Sequence, residues 1–259
     1  MIKEDLVSII MPSYNCGRFV EETIRSVQAQ TYQNWEIIFV DDCSEDDTVS
    51  KVMALATGDT RIKLYCNTEN SGAAISRNYA LQIAEGRGIA FLDSDDLWEP
   101  TKLEKQIAFM KKSGYAFSYH EYIEIGEDGT ELGVHVSGKS HIGKISMYSC
   151  CWPGCLSVMY DADYVGLVQI NDVRKNNDTA VWLKVIQKTD CFLLKETLGK
   201  YRRRRGSITM QGIPAKIGWH YILFRDAEGM NPVVATFWTC MNIMVNSYKK
   251  IFYIKRYKV

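Results

Sequence analysis

The sequence predicts an α/β fold with a mainly parallel sheet and helices on both faces. Three observations lead there. Short apolar runs alternate with segments of helical spacing over the first hundred residues, the strand–helix alternation of parallel sheets. The 259 residues suffice for one large α/β domain, or one with an appended piece, and 46% apolar with 24% charged residues is an ordinary globular composition. Acidic residues gather where predicted strands end, and ligands of such sheets sit outside the carboxyl ends of the strands.

LVSIIM (6–11) is the first strand. A helix follows over 18–30, with Phe19, Val20, Ile24 and Val27 at helical spacing and Glu21 and Glu22 near its start, where the helix dipole favours acids. WEIIFV (35–40) is the second strand, and a helix over 45–56 opens on acids. RIKLYC (61–66) is the third strand; GAAISRNYALQIAE (72–85) is a helix ended by Gly86 and Gly88. GIAFL (88–92) is the fourth strand, after which Pro100 opens a helix to about Lys112. Beyond 114 the alternation changes. YAFSYHEYIEI (115–125) reads as a strand, EDGT as a turn, CLSVMY (155–160) as a strand, 178–188 as a helix around Trp182, Leu183 and Ile186, and 191–202 as strand-like. Residues 131–150 show no clear pattern. Nothing repeats, and the second half reads as an elaboration that completes the first.

Formal net charge is zero but uneven: residues 1–100 hold 17 acidic against 8 basic residues, and residues 101–259 hold 14 against 23. The basic half is either plain solvated surface or a face for something anionic, such as phosphates or a lipid surface. The eight cysteines form no Cys-x-x-Cys pair and have no His at a ligand spacing beside them, as expected of reduced thiols in a cytosolic protein. The amino terminus, MIKEDLVSIIMP, enters a strand without a signal-peptide plan. No apolar run reaches the roughly 18–20 residues of a spanning helix. The nearest, VVATFWTCMNIMV (233–245), precedes the basic and aromatic NSYKKIFYIKRYKV. It is either a helix in a membrane interface or a terminal helix docked on the core.

The stretch IAFLDSDDLW (89–98) runs from apolar residues into Asp93, Asp95 and Asp96. In an extended backbone Asp93 and Asp95 share a face while Asp96 points elsewhere. Two convergent carboxylates suit Mg²⁺ or Mn²⁺, which would also bind phosphate oxygens; the alternative is a polar turn. Of Asp41 and Asp42, one can accept a ligand N–H and the other cap the next helix. The chain has neither a Gly-x-Gly-x-x-Gly after its first strand nor a Gly-x-x-x-x-Gly-Lys-Ser/Thr, which argues against a dinucleotide dehydrogenase and a P-loop ATPase. A diphosphate would instead be held through metal and arginine, consistent with YRRRRGS (201–207). A phospho-accepting receiver also gathers acids at strand ends, but after strands 1 and 3; here they follow strands 2 and 4.

VSIIMPSYNCGRFVEETIRSVQAQTYQNWEIIFVDDCSEDDT and NSGAAISRNYALQIAEGRGIAFLDSDDLWEPTKLEKQI together resemble the amino-terminal signature of family 2 glycosyltransferases. The resemblance spans about residues 5–110 and weakens through 111–210 and beyond. It implies a GT-A fold and inverting transfer from a nucleotide-sugar. By that resemblance Pro12, Tyr14 and Asp41 match positions that hold the nucleoside base, and Asn70 and Arg77 match positions near the nucleotide. Asp93 and Asp95 match the Asp-x-Asp motif, whose second acid coordinates the metal bridging the diphosphate. Asp178 in NDTAVWL (177–183) matches the base of a Glu-Asp-x-x-x-Trp-Leu pattern, with Asn177 in place of the first acid. Arg204 stands where the family often has His; it can neutralise charge but cannot ligate a metal. The Gln-x-x-Arg-Trp signature of processive synthases is missing, so single addition is expected.

The resemblance implies a nucleotide-sugar-binding half over 1–113 and an acceptor-binding and catalytic half of the same domain over 114–210; residues 211–259 are expected as a C-terminal helical extension, either membrane-associating or docked. The expected enzyme depends on Mn²⁺ or Mg²⁺ and moves a sugar, with UDP as the expected nucleotide, to a saccharide or lipid-linked saccharide hydroxyl in surface-glycan synthesis. No nucleic-acid partner is expected, and the location is cytoplasmic, with peripheral contact to the inner membrane face through the C-terminus. Within CCWPGCLS (150–157), an exposed Trp152 would stack on an acceptor sugar; the alternative is a core tryptophan. A non-catalytic sugar-nucleotide-binding protein on the same fold is the rival, which intact Asp93, Asp95 and Asp178 argue against.

Overall fold

The computed structural model describes residues 2–204 and 213–258. Its frame is four parallel strands in the order β3-β2-β1-β4: β1 (Lys3–Ser13), β2 (Trp35–Asp41), β3 (Ile62–Cys66) and β4 (Gly86–Phe91). Helices α1 (Val20–Gln28), α2 (Thr48–Gly58) and α3 (Ala73–Ile83) connect them. Both faces of this sheet are covered, which is why its strands are apolar on both sides. Ile10, Ile38 and Val40 pack with Ala80 and Leu81 of α3 on one face. Ile9, Met11, Ile37 and Phe39 pack with Val20, Ile24 and Val27 of α1 and Val52 of α2 on the other.

After β4 the chain forms β5 (Leu97–Trp98), α4 (Lys102–Ser113), β6 (Phe117–Ile125), β7 (Glu131–Val136), β8 (His141–Ile142) and α5 (Lys144–Ser149). It continues through β9 (Met159–Asp161), α6 (Ala162–Val165), α7 (Asn177–Val185) and β10 (Cys191–Arg202). The antiparallel β9 pairs with both β4 and β6, so the two halves share one sheet. Strand β10 runs parallel to β6, from Phe192 opposite Ser118 to Arg202 opposite Ile125, and pairs with β5 directly after the acid cluster.

One expectation of the fold needs correction. CLSVMY is not a strand throughout: Cys155–Ser157 is a 3-10 turn, and the strand begins at Met159. The turn forms because its backbone is satisfied without a ladder. Ser157 N–H and Oγ–H both donate to Gly154 O, Trp98 Nε1–H donates to Leu156 O at 2.7 Å, and Gln106 Nε2–H donates to Ser157 O at 3.0 Å. The unpatterned stretch 131–150 forms β7, β8 and α5, which are too short to show a period.

The C-terminal part holds α8 (Ile213–Ile222), a π-helical turn (Leu223–Ala227), α9 (Pro232–Phe252) and β11 (Ile254–Arg256). The Asn231 side chain caps α9 by accepting from Val234 N–H, with Pro232 in the first turn. Antiparallel pairing of β11 with β7 fastens the tail to the sheet. Of the eight free cysteines, Cys43, Cys66 and Cys240 are exposed. A groove of about 470 Å³ opens at the amino ends of β1 and β4, lined among others by Asp5, Tyr32, Arg87 and Tyr164. None of the expected site residues lines it.

Candidate active site

The site is built at the opposite, carboxyl ends of β1, β2 and β4. The loops after β1 and β2 are tied together: Asn15 N–H donates to Ser44 Oγ, Glu45 N–H to Asn15 Oδ1, Cys16 N–H to Thr48 Oγ1 and Gly17 N–H to Asp46 Oδ2. Three non-glycine residues have positive φ among those described: Asn15 (48°), Cys43 (66°) and Asn176 (56°). All three lie in loops beside expected site residues. Such backbone costs on the order of 1–3 kcal/mol and persists only where its surroundings fix it.

Pro12 is buried in β1 opposite Val40, and Tyr14 is exposed just past the strand. Asp41 is buried at the end of β2; its carboxylate accepts from Ser44 N–H at 2.7 Å and Ser44 Oγ–H at 2.6 Å. Asp42 fastens the approach to α3, accepting from Ser71 N–H, Gly72 N–H and Asn67 Nδ2–H. Gly72, the residue before α3, has φ 92°, which side chains rarely adopt. Asn70 belongs to the same loop and donates to Asp42 O at 3.1 Å.

Residues 93–96 form a turn rather than an extended segment, closed by Asp96 N–H donating to Asp93 O. Alternation along a strand therefore does not set the facing of these acids. Arg77 Nη2–H donates to Asp93 Oδ1 at 2.9 Å, and Asp95 Oδ2 pairs with Arg204 Nε at 2.6 Å. Asp96 is buried and accepts from Arg202 N–H, so it is an anchor between this turn and β10. Burial pushes Asp95 up to about 6, with Arg204 opposing and Asp93 adding to the rise. Burial raises Asp96 well above its ordinary value, with Asp95 and Asp93 adding.

Arg77 is 3% exposed, and its Nε and Nη1 have no protein partner. Burial opposes its charge, but the Cys155 sulfur, Asp93 and Asp178 outweigh it and raise the guanidinium pKa. The Cys155 thiol sits 3.5 Å from both Arg77 Nη2 and Asp93 Oδ1, donating to the latter. Asp178, in the first turn of α7, completes this group through its electrostatic coupling to Arg77 and Asp93. Burial raises its pKa; Arg77 and the N–H of Thr179 pull the other way. The expected nucleotide residue Arg77, motif acid Asp93 and base Asp178 thus form one electrostatic group, with Asp95 and Arg204 beside it.

Trp152 is a correction. It is 1% exposed, its indole N–H donates to Ser146 O at 3.1 Å, and it packs edge-on against Tyr253. A ring enclosed in this way offers no face to a sugar. Of YRRRRGS, residues 205–207 lie outside the described residues. Two residues were missed. Cys155 lay in a run read as a strand. Arg202 is the clamp of the acid turn, donating to Asp95 O, Gly126 O, Glu127 O and Glu22 Oε2. Only its place in an arginine run hinted at this.

For a metal, the described residues hold no group of three or more His, Cys, Asp or Glu side chains able to share an ion. Asp93 and Asp95 on one turn fit a magnesium-type ion, which is commonly held by one or two carboxylates together with substrate phosphates. The pKa raised by burial and by Asp93 is what a nearby cation would offset at Asp95.

Residues 8–150 match the family described as Glycosyl transferase family 2. The chain belongs to that family. This family 2 enzyme is 38% identical over 247 residues to the glycosyltransferase TuaG of Bacillus subtilis, whose name places it in teichuronic acid biosynthesis; 95% of this chain and 97% of TuaG are covered. It is 40% identical over 206 residues to the UDP-Glc:alpha-D-GlcNAc-diphosphoundecaprenol beta-1,3-glucosyltransferase WfgD of Escherichia coli, covering 79% of each. Among solved structures it is similar to S. aureus TarS 1–349 in complex with UDP-GlcNAc, with TM-score 0.69 at 16% identity, covering 95% of this chain and 74% of that one. The GT-A fold of glycosyltransferases is therefore the fold of this family 2 chain.

Proposed function

We propose that the enzyme transfers a sugar, with inversion, from a UDP-sugar to a hydroxyl of a lipid-diphosphate-linked saccharide during cell-surface polysaccharide assembly. The observation that carries the reading is the 2.9 Å ion pair of the buried Arg77 with Asp93, just past the end of β4, with Asp178 in the first turn of α7 within electrostatic range of both. The names of TuaG and WfgD support the pathway, donor and acceptor class.

Pro12, Tyr14 and Asp41 take the nucleoside base, with the lone pairs that Ser44 leaves on Asp41 accepting a base N–H. Asn70, on the loop fastened by Asp42, borders the nucleotide. The unpartnered N–H groups of Arg77 are donors for the diphosphate or the sugar, and Arg204 neutralises phosphate charge. Asp93 and Asp95 would hold Mn²⁺ or Mg²⁺, which supplies stabilisation of the charge developing on the leaving diphosphate. Asp178 accepts the proton of the acceptor hydroxyl. The acceptor oxygen bonds to the anomeric carbon from the face opposite the diphosphate, which departs with the bonding electrons. A raised pKa makes the ionised Asp178 a stronger base.

The test is Asp178→Asn, assayed with purified protein, a panel of UDP-sugars, Mn²⁺ and a lipid-diphosphate saccharide. Transfer is expected to fall by about 10²–10⁴-fold, with UDP affinity unchanged. Near-full transfer would remove Asp178 as the base. Absence of both nucleotide binding and turnover in the unaltered protein would sink the whole reading.

A further inference from the structure

Helix α9 docks on the core through Ala235, Trp238 and Val245 and carries a second apolar face outward. Its inward residues include Thr239, Asn242 and Lys249, all buried. Lys249 Nζ donates to the carbonyls of Cys151 and Trp152 at 2.9 and 2.8 Å. Its exposed apolar residues recur every three or four positions, through Val233, Phe237, Cys240, Met244, Tyr248 and Ile251. Val233 is 79% and Ile251 73% exposed, so the stripe lies bare from one end of the helix to the other.

The charge pattern says what covers it. From Gly229 to the last residue the sequence has no Asp or Glu. Lys250 is exposed in the last turn of α9, and Lys255, Arg256 and Lys258 are exposed in the segment that follows it. A second copy seated on this face would bring no side-chain carboxylate of this segment to those cations, since the stripe and the residues after it hold none. An anionic lipid surface accepts both the apolar stripe and the cations. The helix has 21 residues, and no helix among those described is long and apolar enough to cross a membrane.

We propose that α9 lies flat in the headgroup region of an anionic phospholipid bilayer, with its apolar stripe towards the acyl chains and its terminal cations on lipid phosphates. Through Lys249 the docked helix holds the loop at 151–152 that leads to Cys155 in the site. The inference does not depend on the donor or acceptor chemistry.

The test is co-sedimentation of the full chain with two kinds of vesicle, pure phosphatidylcholine and an equal mixture of phosphatidylcholine and phosphatidylglycerol. Binding is expected to the mixed vesicles and to weaken with salt. The double variant Phe237→Ser/Ile251→Ser, altered only at exposed positions, should lose at least about tenfold in partitioning. The triple variant Lys250→Gln/Lys255→Gln/Arg256→Gln should lose about fivefold per charge removed and fall towards the phosphatidylcholine level. Thermal unfolding like that of the unaltered chain shows that each variant folds. Failure of the unaltered chain to bind either vesicle, or full binding by the double variant, overturns the proposal; full binding by the triple variant overturns its charge component. A concentration-dependent dimer in sedimentation velocity, abolished by the double variant while vesicles stay unbound, assigns the face to a second copy instead. UDP binding measured in parallel reports on the donor reading separately.

Discussion

Asp95 is pushed up to about 6 by burial, against the pull of Arg204 and with Asp93 adding to the rise. An acid whose folded pKa lies above its unfolded value holds its proton more tightly when folded. Stability from this group is therefore full below the ordinary value of 3.8 and is lost as pH rises towards about 6. The loss is on the order of 3 kcal/mol, taking about 1.4 kcal/mol for each pKa unit. Urea unfolding across that window should show a falling stability that Asp95→Asn flattens; an unchanged slope would mean that Asp95 is not the group titrating. Asp178 is raised by burial in the same direction, so transfer should decline as pH falls through its pKa and the base becomes protonated. A pH–rate profile measured with saturating donor checks this.

The acid turn depends on β10 and α1 as elements. Arg202 reaches the turn and the β6–β7 connection and ion-pairs with Glu22 of α1 at 2.6 Å, while Thr23 Oγ–H donates to Ser94 O. Arg202→Met leaves those carbonyls without their donor. Stability should fall by about 2–4 kcal/mol in denaturant titration. Donor affinity should fall with it, because Asp95 and Asp96 lose their fastening; intact donor affinity would separate the clamp from the site. The β1, β2 and β4 runs and the acids at the ends of β2 and β4 were readable, because apolar runs and helical spacing are local signals. The turn at Cys155–Ser157 was not readable, because its apolar letters suit a strand and its partners Trp98 and Gln106 lie some fifty residues away in sequence. Nor was Arg202, whose acceptors come from three separate segments. One of Asp41 and Asp42 was expected to cap the next helix; Asp42 instead holds the one after, since only the folded sheet brings residues 71 and 72 to it.

Across the whole molecule, the antiparallel β9 couples β4 and the parallel strands beside it to β6 and β10, which carry the elements behind the clamp. A ligand bound at the carboxyl edge of this sheet should therefore stabilise one cooperative unit. UDP with Mn²⁺ at about a hundred times its dissociation constant adds about 2.7 kcal/mol. For a chain of this size that raises the melting temperature by roughly 5–10 °C. Differential scanning fluorimetry checks it, and Asp95→Asn should reduce the part of the shift that needs the metal. A shift equally large without Mn²⁺ would mean that Arg77 and Arg204 suffice for the diphosphate.

The exposed thiol of Cys240 lies on the outward side of α9, between Phe237 and Met244. Cys155 and Cys191 are buried, and burial raises both thiols well above their ordinary value, so they react slowly with alkylating reagents. With Cys43 and Cys66 changed to Ser, an environment-sensitive dye can be placed at Cys240 on the helix itself. Its emission would report in real time whether that side of the molecule is wet, and whether it stays so during turnover.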